Sequence, residues 1–458
     1  MLRIIRHIRA KRFVAVLPQL RNSYIFKRTT LMPLKETIFW HETTEMPAAR
    51  EQTLPERVDV AVIGAGFTGL SAARVLAKRG ARVAVLEAHT LGWGASSRNG
   101  GMVLTGLKLG VDTLRAKYGR EAARRMFAAS VASIDCVEQI VKEEGIQCDL
   151  VRSGHLEVAC KPAHYEHFAK AAEIMAREYN HQVRLVPKSE LRSEIGSDTY
   201  HGGLVDEASA GLNPARYVAG LARAAERAGA LLYDQAQVER VERDGADFCL
   251  TTARGKLRAR EVLVATSGYT GSATPQLRRK IIPIGSFIIA TEVLPEALAR
   301  EVSPRGRMIF DSKNFLYYFR LTPDRRMLFG GRAAFFPETP TTVRDSAEIL
   351  RQGMLSVYPQ LRDVGVEYVW GGTLDFAFDR MPHAGQLAGL HYALGYAGHG
   401  VAMATYLGTK LGERLAGGAS DNPFEGVPFP GAPLGLYDGR PWFLPFAWAW
   451  YKFLDWIS

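Results

Sequence analysis

No run in this chain approaches the ~18 uninterrupted apolar residues of a membrane-spanning helix, although 47% of its 458 residues are hydrophobic. Cysteine is scarce. Cys136, Cys148, Cys160 and Cys249 are too few and too scattered for a disulfide framework. None belongs to a C-x-x-C pair, which excludes a zinc ribbon and a dithiol redox centre; they read as free thiols of a reducing compartment, and no metal site is expected. There is no internal repeat and no low-complexity stretch. Acidic residues are absent from positions 1–35, which hold nine Lys and Arg. The rest of the chain carries 49 basic against 47 acidic residues, so nine of the eleven net positive charges belong to this arm. A body so close to neutral does not read as a nucleic-acid binder.

The arm has three readings. It is Arg-rich and acid-free like a transit peptide. Leu2, Ile4, Ile5, Ile8, Phe13 and Val14 supply the apolar side of a membrane-surface helix. The preferred reading is translation from Met32, or a loosely ordered arm. It lacks a signal-peptide cleavage pattern, so a cytoplasmic location is expected. The chain is long enough for two or three domains.

The most informative stretch is VDVAVIGAGFTGLSAARVLAKRGARVAVLEA, residues 58–88. The apolar run 58–63 has the length and β-branching of a buried strand. It breaks at Gly64-Ala65-Gly66-Phe67-Thr68-Gly69 and continues at helical period. A second apolar strand, 83–86, ends on Glu87. Strand, GxGxxG, helix, strand and acid at about 20 residues' spacing make a dinucleotide-binding βαβ unit. Gly64 serves the tight turn, Gly66 the approach of a pyrophosphate and Gly69 the close packing of helix on strand. The pyrophosphate sits on the helix N-terminus, and Glu87 accepts from a ribose diol. The acid disfavours NADP; FAD and NAD both stay open.

The next loop, Gly92-Trp93-Gly94-Ala95-Ser96-Ser97-Arg98-Asn99-Gly100-Gly101, offers backbone N–H groups, hydroxyls and one cation along a long cofactor. An NAD dehydrogenase would usually run straight into another strand–helix repeat. Helical patterns follow at 112–144 and 163–180. Asn213-Pro214 opens a helix to about 229. Runs 231–242 and 247–252 flank the hairpin signal Asp244-Gly245. EVLVAT (261–266) is a buried strand that returns to the first sheet. The run 280–293 and the hairpin 315–332 indicate a separate antiparallel block, and 342–358 returns to helix period. A second glycine turn, 395–400, opens a helix, so its N–H groups face anionic ligands such as the N1–C2=O edge of a reduced flavin. No second strand-linked GxGxxG is present, so no separate NAD(P)H domain is expected.

Several segments together resemble the D-amino-acid-oxidase-type FAD-dependent oxidoreductases, which include glycine oxidase and sarcosine oxidase. They are 58–73, 92–101, LVATSGYTG (263–271), MLFGGR (327–332), WGGTLDFAFDRMPHAG (370–385) and LGYAGHGVAMATYLG (394–408), with Phe39-Trp40 and Pro441-Trp442-Phe443 beside them. Within that group the motifs are most similar to gamma-glutamylputrescine oxidoreductases. The resemblance implies an α/β protein with a Rossmann-like FAD-binding domain (55–110 with 200–275 and 370–420) and an antiparallel-sheet substrate domain (111–199 with 276–369). A basic extension (1–54) and an aromatic tail (421–458) flank them. It implies noncovalent FAD, since no cysteine lies in the C-terminal third, where sarcosine oxidases tether theirs. Gly64, Gly66, Phe67, Thr68, Gly69 and Glu87 would hold the ADP half. Ala95, Ser96, Ser97 and Arg98 would contact the pyrophosphate and ribityl region, Asn99, Gly100 and Gly101 the ring, Thr266 and Ser267 the adenine side, and Gly398, His399 and Gly400 the pyrimidine edge.

The implied reaction is hydride transfer from an amine-bearing carbon, hydrolysis of the imine to a carbonyl, and reoxidation by oxygen to hydrogen peroxide. No catalytic base is needed if the amine binds neutral. His399 either stabilises reduced flavin or caps its turn. Arg332 either clamps a carboxylate or is a surface residue at a strand end. Of Tyr317 and Tyr318 only one can face the pocket, and Tyr318 is the candidate. Asp379 and His383 flank a turn, and turn stabilisation is preferred for Asp379. Two alternatives remain: a dehydrogenase feeding a membrane acceptor, motivated by the arm and the tail aromatics, and a non-catalytic FAD-binding protein.

Overall fold

The computed structural model describes residues 34–49, 53–331 and 339–457. The readings of the basic arm and of Arg332 fall outside these residues. In the first sheet Arg57–Ile63 lies between Val83–Leu86 and Gly255–Val264, all parallel. Leu231–Tyr233 extends the sheet on one side and Leu390–Leu394 on the other. Val60, Val62, Val83, Val85, Val262 and Val264 are buried, as a parallel sheet covered on both faces requires. Ile63 stands opposite both Leu86 and Val264. That register delivers Gly64, Glu87 and Ala265 to one edge of the sheet, where α/β folds bind their ligands.

Helices Phe67–Lys78, Pro214–Arg227 and Gly400–Leu415 pack on this sheet through Leu70, Leu76, Val218, Leu221, Leu407 and Leu411. Asn213 caps the second of them by accepting from the Arg216 N–H at 3.1 Å. The helical pattern at 112–144 forms two helices, Val111–Tyr118 and Arg120–Glu144, because Gly119 takes a φ of +80° between them. Ile134, Val137 and Ile140 of the longer helix join the first sheet's core. That segment was expected with the substrate domain; packing of its apolar face places it with the other layer.

The second sheet runs in the order Val366–Ala377, Ile281–Val293, Arg326–Gly331, Tyr317–Leu321, Met308–Asp311, His155–Val158, Gly202–Asp206, Arg184–Pro187. It is antiparallel except where Met308–Asp311 runs parallel to His155–Val158. Two stretches expected in the cofactor domain, 202–206 and 370–377, belong here. Long-range pairing decides it: Ile281 faces Ala377, and Leu156 faces Val205. The tail, expected only as aromatic chain, carries the helix Leu444–Ile457. Its Asp455 carboxylate accepts from the Asn314 and Phe315 N–H groups at 2.8 and 3.0 Å. No helix among the described residues is long and apolar enough to cross a membrane.

One buried ion pair ties the second sheet together. Arg307 donates to Glu194 at 2.6 Å, with both side chains under 8% exposed, and also to Glu207. Arg307→Met is expected to cost ~3 kcal/mol, because a desolvated carboxylate loses its main partner. Arg184, at 2.5 Å from Glu194, limits the loss. The guanidinium-chloride unfolding midpoint of the variant measures it; an unchanged midpoint refutes it.

Candidate functional site

A cavity of about 510 Å³ opens at the edge where Gly64, Glu87 and Ala265 leave the first sheet. Gly64 has a φ of +103°, and a Cβ there would lie 2.7 Å from the Ala265 carbonyl oxygen. Only glycine suits such a position. A Cβ on Gly66 would meet Ser96 Oγ at 2.8 Å, so any side chain would obstruct the floor of the cavity. Ser96 Oγ accepts from the Phe67 N–H at 2.9 Å and fastens the loop to the start of the helix. Glu87 accepts from the Ala65 N–H at 2.8 Å and the His89 N–H at 3.2 Å. These bonds fix its carboxylate in the wall. Thr68, Ala95, Thr266 and Ser267 also line this cavity, and Thr266 Oγ1 bonds Thr270 Oγ1 at 2.8 Å. Gln237, Val238 and Glu239 line it as well. The sequence carried no signal for these three, because the strand 238–244 reads as an ordinary hairpin arm.

The loop after Glu87 coils into a short helix, Ala95–Arg98. The Asn99 side chain closes it. Nδ2 donates to the Ala95 and Ser96 carbonyls at 3.0 and 3.1 Å, and Oδ1 accepts from the Gly101 N–H at 2.7 Å. Two distant indoles hold the loop from outside: Trp40 Nε1 donates to the Asn99 carbonyl at 2.9 Å and Trp370 Nε1 to the Arg98 carbonyl at 2.8 Å. Arg98 stacks on Trp93 and donates to that residue's carbonyl at 2.8 Å.

A second cavity of about 180 Å³ adjoins the first, sharing Ala95, Asn99, Leu374, Gly398 and Val401. Arg98, Gly100, Lys108, Tyr318 and His399 complete much of its wall. Tyr318 packs on Gly100 and Gly330, and its hydroxyl lies 3.1 Å from Ser286 Oγ. Tyr317 turns away and packs against Phe329 in the second sheet's core. Burial pushes the Tyr318 phenol up to about 12. Burial, helped by the charge of Lys108, pulls His399 down to about 3. Both groups are therefore neutral across the working pH range.

The second glycine turn reaches both cavities through Gly398, and Gly400 lines the larger. Gly398 has a φ of +95°, and nothing would touch a Cβ there; the turn needs its glycine for conformation, not space. Asp375 builds the turn. It accepts from the Gly395 N–H at 2.7 Å and the Tyr396 N–H at 3.2 Å, and burial raises its carboxyl to about 6. Sequence reasoning missed it, because an acid inside a long strand pattern carries no local mark.

Three expected cofactor contacts lie elsewhere. Ser97 is buried on the far side of its short helix, 2.8 Å from His41 Nε2. At Gly101 a Cβ would sit 2.1 Å from the Leu212 carbonyl oxygen, and at Gly69 2.0 Å from that of Gly64. Both glycines serve backbone packing and line neither cavity. Asp379 stabilises its turn, accepting from the Met381 N–H at 3.2 Å and lying 2.9 Å from His383 Nε2.

The residues fit FAD. The N-termini of the helices Phe67–Lys78 and Gly400–Leu415 both open on the larger cavity, as an anionic pyrophosphate and an electron-rich ring edge require. The cradle at Gly64 and Gly66 admits no side chain, and the smaller cavity adjoins the larger through Asn99 and Gly398. No cysteine lines either cavity.

Comparison with known proteins agrees. The model of the family described as DAO, FAD dependent oxidoreductase, matches residues 59–414. A probable oxidoreductase OrdL of Haemophilus influenzae is 35% identical over 393 residues, covering 84% of this chain and 88% of that protein. Gamma-glutamylputrescine oxidoreductase of Escherichia coli is 33% identical over 387 residues, covering 83% and 90%. The crystal structure of glycine oxidase from Geobacillus kaustophilus superposes with a TM-score of 0.68 at 20% identity, over 83% of this chain and 99% of that one, which shows a shared fold.

Proposed function

The chain belongs to the DAO family of FAD-dependent oxidoreductases, which act on amines and amino acids, and we propose that it oxidises a primary or secondary amine bound as the neutral base. The observation that carries this reading is the charge of the smaller cavity. Arg98 and Lys108 are in its wall, and among the described residues no carboxylate is. Such a wall repels an ammonium ion and accepts the neutral amine, whose nitrogen lone pair must be free to assist departure of hydride from the neighbouring carbon. Noncovalent FAD, when bound, supplies the two-electron acceptor for that hydride and passes the pair to oxygen. The chain's own residues hold the geometry. Asn99 and Gly100 shape the floor of the cavity, and the Tyr318 hydroxyl, 3.1 Å from Ser286 Oγ, offers an oxygen that accepts from the substrate N–H and leaves the nitrogen lone pair free. The turn built on Asp375 directs the Gly400 helix end into the larger cavity, where it would face the negative charge that a bound flavin develops on reduction. The product imine takes up water to give a carbonyl compound and an amine or ammonia, and oxygen becomes hydrogen peroxide. The resemblance to a gamma-glutamylputrescine oxidoreductase supports a long aliphatic amine as substrate.

Anaerobic mixing with gamma-glutamylputrescine, putrescine, glycine, sarcosine and a D-amino acid tests this. Bleaching of the flavin spectrum by an amine of the set is expected; a yellow protein bleached by none of them refutes it.

A second reading keeps the chemistry and changes the acceptor. Trp442, Phe446 and Trp450 are 63%, 72% and 58% exposed at successive four-residue steps on and before the tail helix. An aromatic stripe of this kind suits a membrane interface, where a quinone would replace oxygen. One equivalent of peroxide per amine consumed in air favours the oxidase; turnover only on adding a quinone favours the dehydrogenase.

A further inference from the structure

Arg320, on the strand Tyr317–Leu321, is a buried cation held by carbonyls rather than carboxylates. Its Nη2 donates to the Leu212 carbonyl at 2.7 Å, and its Nη1 lies 3.4 Å from both the Gly101 carbonyl oxygen and Met308 Sδ. Its Nε is buried and finds no hydrogen-bond partner among the described residues. The opposite charge that it feels is Asp149, which is already paired with Arg216 at 2.9 Å. Burial pulls the guanidinium down to about 10, so it stays charged across the working pH range.

The other deeply buried arginines are treated differently. Arg74 meets Glu143 and Glu144, and Arg307 meets Glu194 and Glu207. A desolvated charge without such a partner costs stability, so its position calls for a reason. Tyr318 and Arg320 are two residues apart on one strand, so they share a face and stand about 7 Å apart along it. They address consecutive residues of the cofactor loop. A Cβ on Gly100 would meet the Tyr318 ring at 3.2 Å, and a Cβ on Gly101 would meet Arg320 Nη2 at 3.0 Å. Tyr318 and Gly100 line the smaller cavity, whereas Arg320 lines neither. The guanidinium therefore stands one layer behind the wall, with the Trp40 ring 5.5 Å from it. With little water between, its field reaches the cavity weakly screened.

We infer that Arg320 is a buried positive pole for the cofactor, acting through the Gly100–Gly101 backbone on the negative charge that FAD acquires on reduction and raising its affinity for electrons. It is a positioning residue: it touches neither substrate nor cofactor and works by its field. The inference rests on bound FAD and not on which amine is oxidised. The helix end at Gly400 offers a partial charge; Arg320 adds a whole one. A purely structural role, holding the Gly101 and Leu212 carbonyls, is the alternative that the experiment separates.

Sulfite is the probe. Its sulfur lone pair adds to flavin N5 and leaves the extra negative charge on the ring. Its Kd, read from the bleached absorbance of the holoenzyme, therefore reports the positive field there without turnover. Met308→Glu sets a carboxylate beside Arg320, which keeps it ionised, and cancels the charge in place. Met308→Gln has nearly the same size and no charge. At an effective dielectric constant of about 20, a unit charge about 8 Å away is worth more than tenfold in such an equilibrium. Met308→Glu is expected to weaken sulfite about tenfold or more, and Met308→Gln less than about threefold. Arg320→Met is expected to behave like the first, and Arg320→Lys, which keeps the charge, like the second. Equal Kd values in the two Met308 variants overturn the proposal, and so does a wild-type flavin that takes no sulfite. Where a Met308 variant does not fold, equal Kd values in Arg320→Met and Arg320→Lys overturn it. Flavin lost from every variant overturns it too, since the residue then only holds the loop. A protein that oxidises no amine yet shows the charge-dependent shift keeps the positive pole and sinks the oxidase. Amine oxidation without the shift sinks the pole alone.

Discussion

Gly69→Ala is expected to give a protein without flavin and with stability lowered by about 4 kcal/mol or more, the range reserved for severe core defects. The added methyl would lie 2.0 Å from the Gly64 carbonyl oxygen and 3.0 Å from Val62 Cγ1. Neither neighbour can yield. The Gly64 N–H is bonded to the Leu86 carbonyl at 2.9 Å, and Gly64 itself is pressed against Ala265. Moving the helix outward instead drives it into the Gly400–Leu415 helix. There Gly408 already sits so close that a Cβ would meet the Thr68 carbonyl oxygen at 2.2 Å. The helix is gripped on both sides by contacts that only glycine permits. Gly431→Ala is the control: its φ is unstrained and nothing lies within 4 Å of the added Cβ. The ratio of flavin to protein absorbance and the thermal midpoint measure both variants. A yellow Gly69→Ala protein with the wild-type midpoint would refute the packing account.

The pH dependence of kcat/KM for an alkyl monoamine is expected to climb about tenfold per pH unit, roughly a thousandfold between pH 6 and 9. The limb belongs to the substrate, whose ammonium has a pKa near ~10.4, like a free lysine. Neither His399, held near 3, nor Tyr318, held near 12, changes charge in that window. Among the described residues the reaction cavity holds no acid to stabilise the ammonium form. The sign follows: acidification withdraws the neutral amine that the cavity accepts, so activity falls as pH falls. Stopped-flow reduction across the range measures it. A plateau above pH 7 would mean that a side chain with a pKa near 6 or 7 accepts the substrate's proton, and the neutral-amine account would be wrong.

The dinucleotide half of the site was legible because its rules are local. A tight turn, a close phosphate approach and a helix start each demand particular residues at fixed offsets, and 58–87 supplies them within one βαβ unit. The Asn99 loop and the Gly398 turn were legible as glycine-rich breaks beside strands. What escaped depends on distant pairing. Strand 366–377 resembles a return to the first sheet until its partner 281–293 is known. Helix 120–144 looks assignable to either layer until its apolar face meets Leu411. Ser97 shares its loop with Ser96 and differs only in which side of one helical turn it occupies.

The two indoles that hold the cofactor loop come from residues 40 and 370, and the turn at the ring edge is finished only at residue 400. During synthesis, therefore, the fingerprint unit leaves the ribosome long before anything can clasp a flavin. At ~5–20 residues per second the incomplete site waits about 15 to 65 s for the remaining chain. Through that interval Gly64, Gly66 and the loop 92–101 are an open cleft exposed to solvent and to other nucleotides. Flavin capture is thus a late event in this protein's life, and chains that stop short of residue 400 emerge colourless.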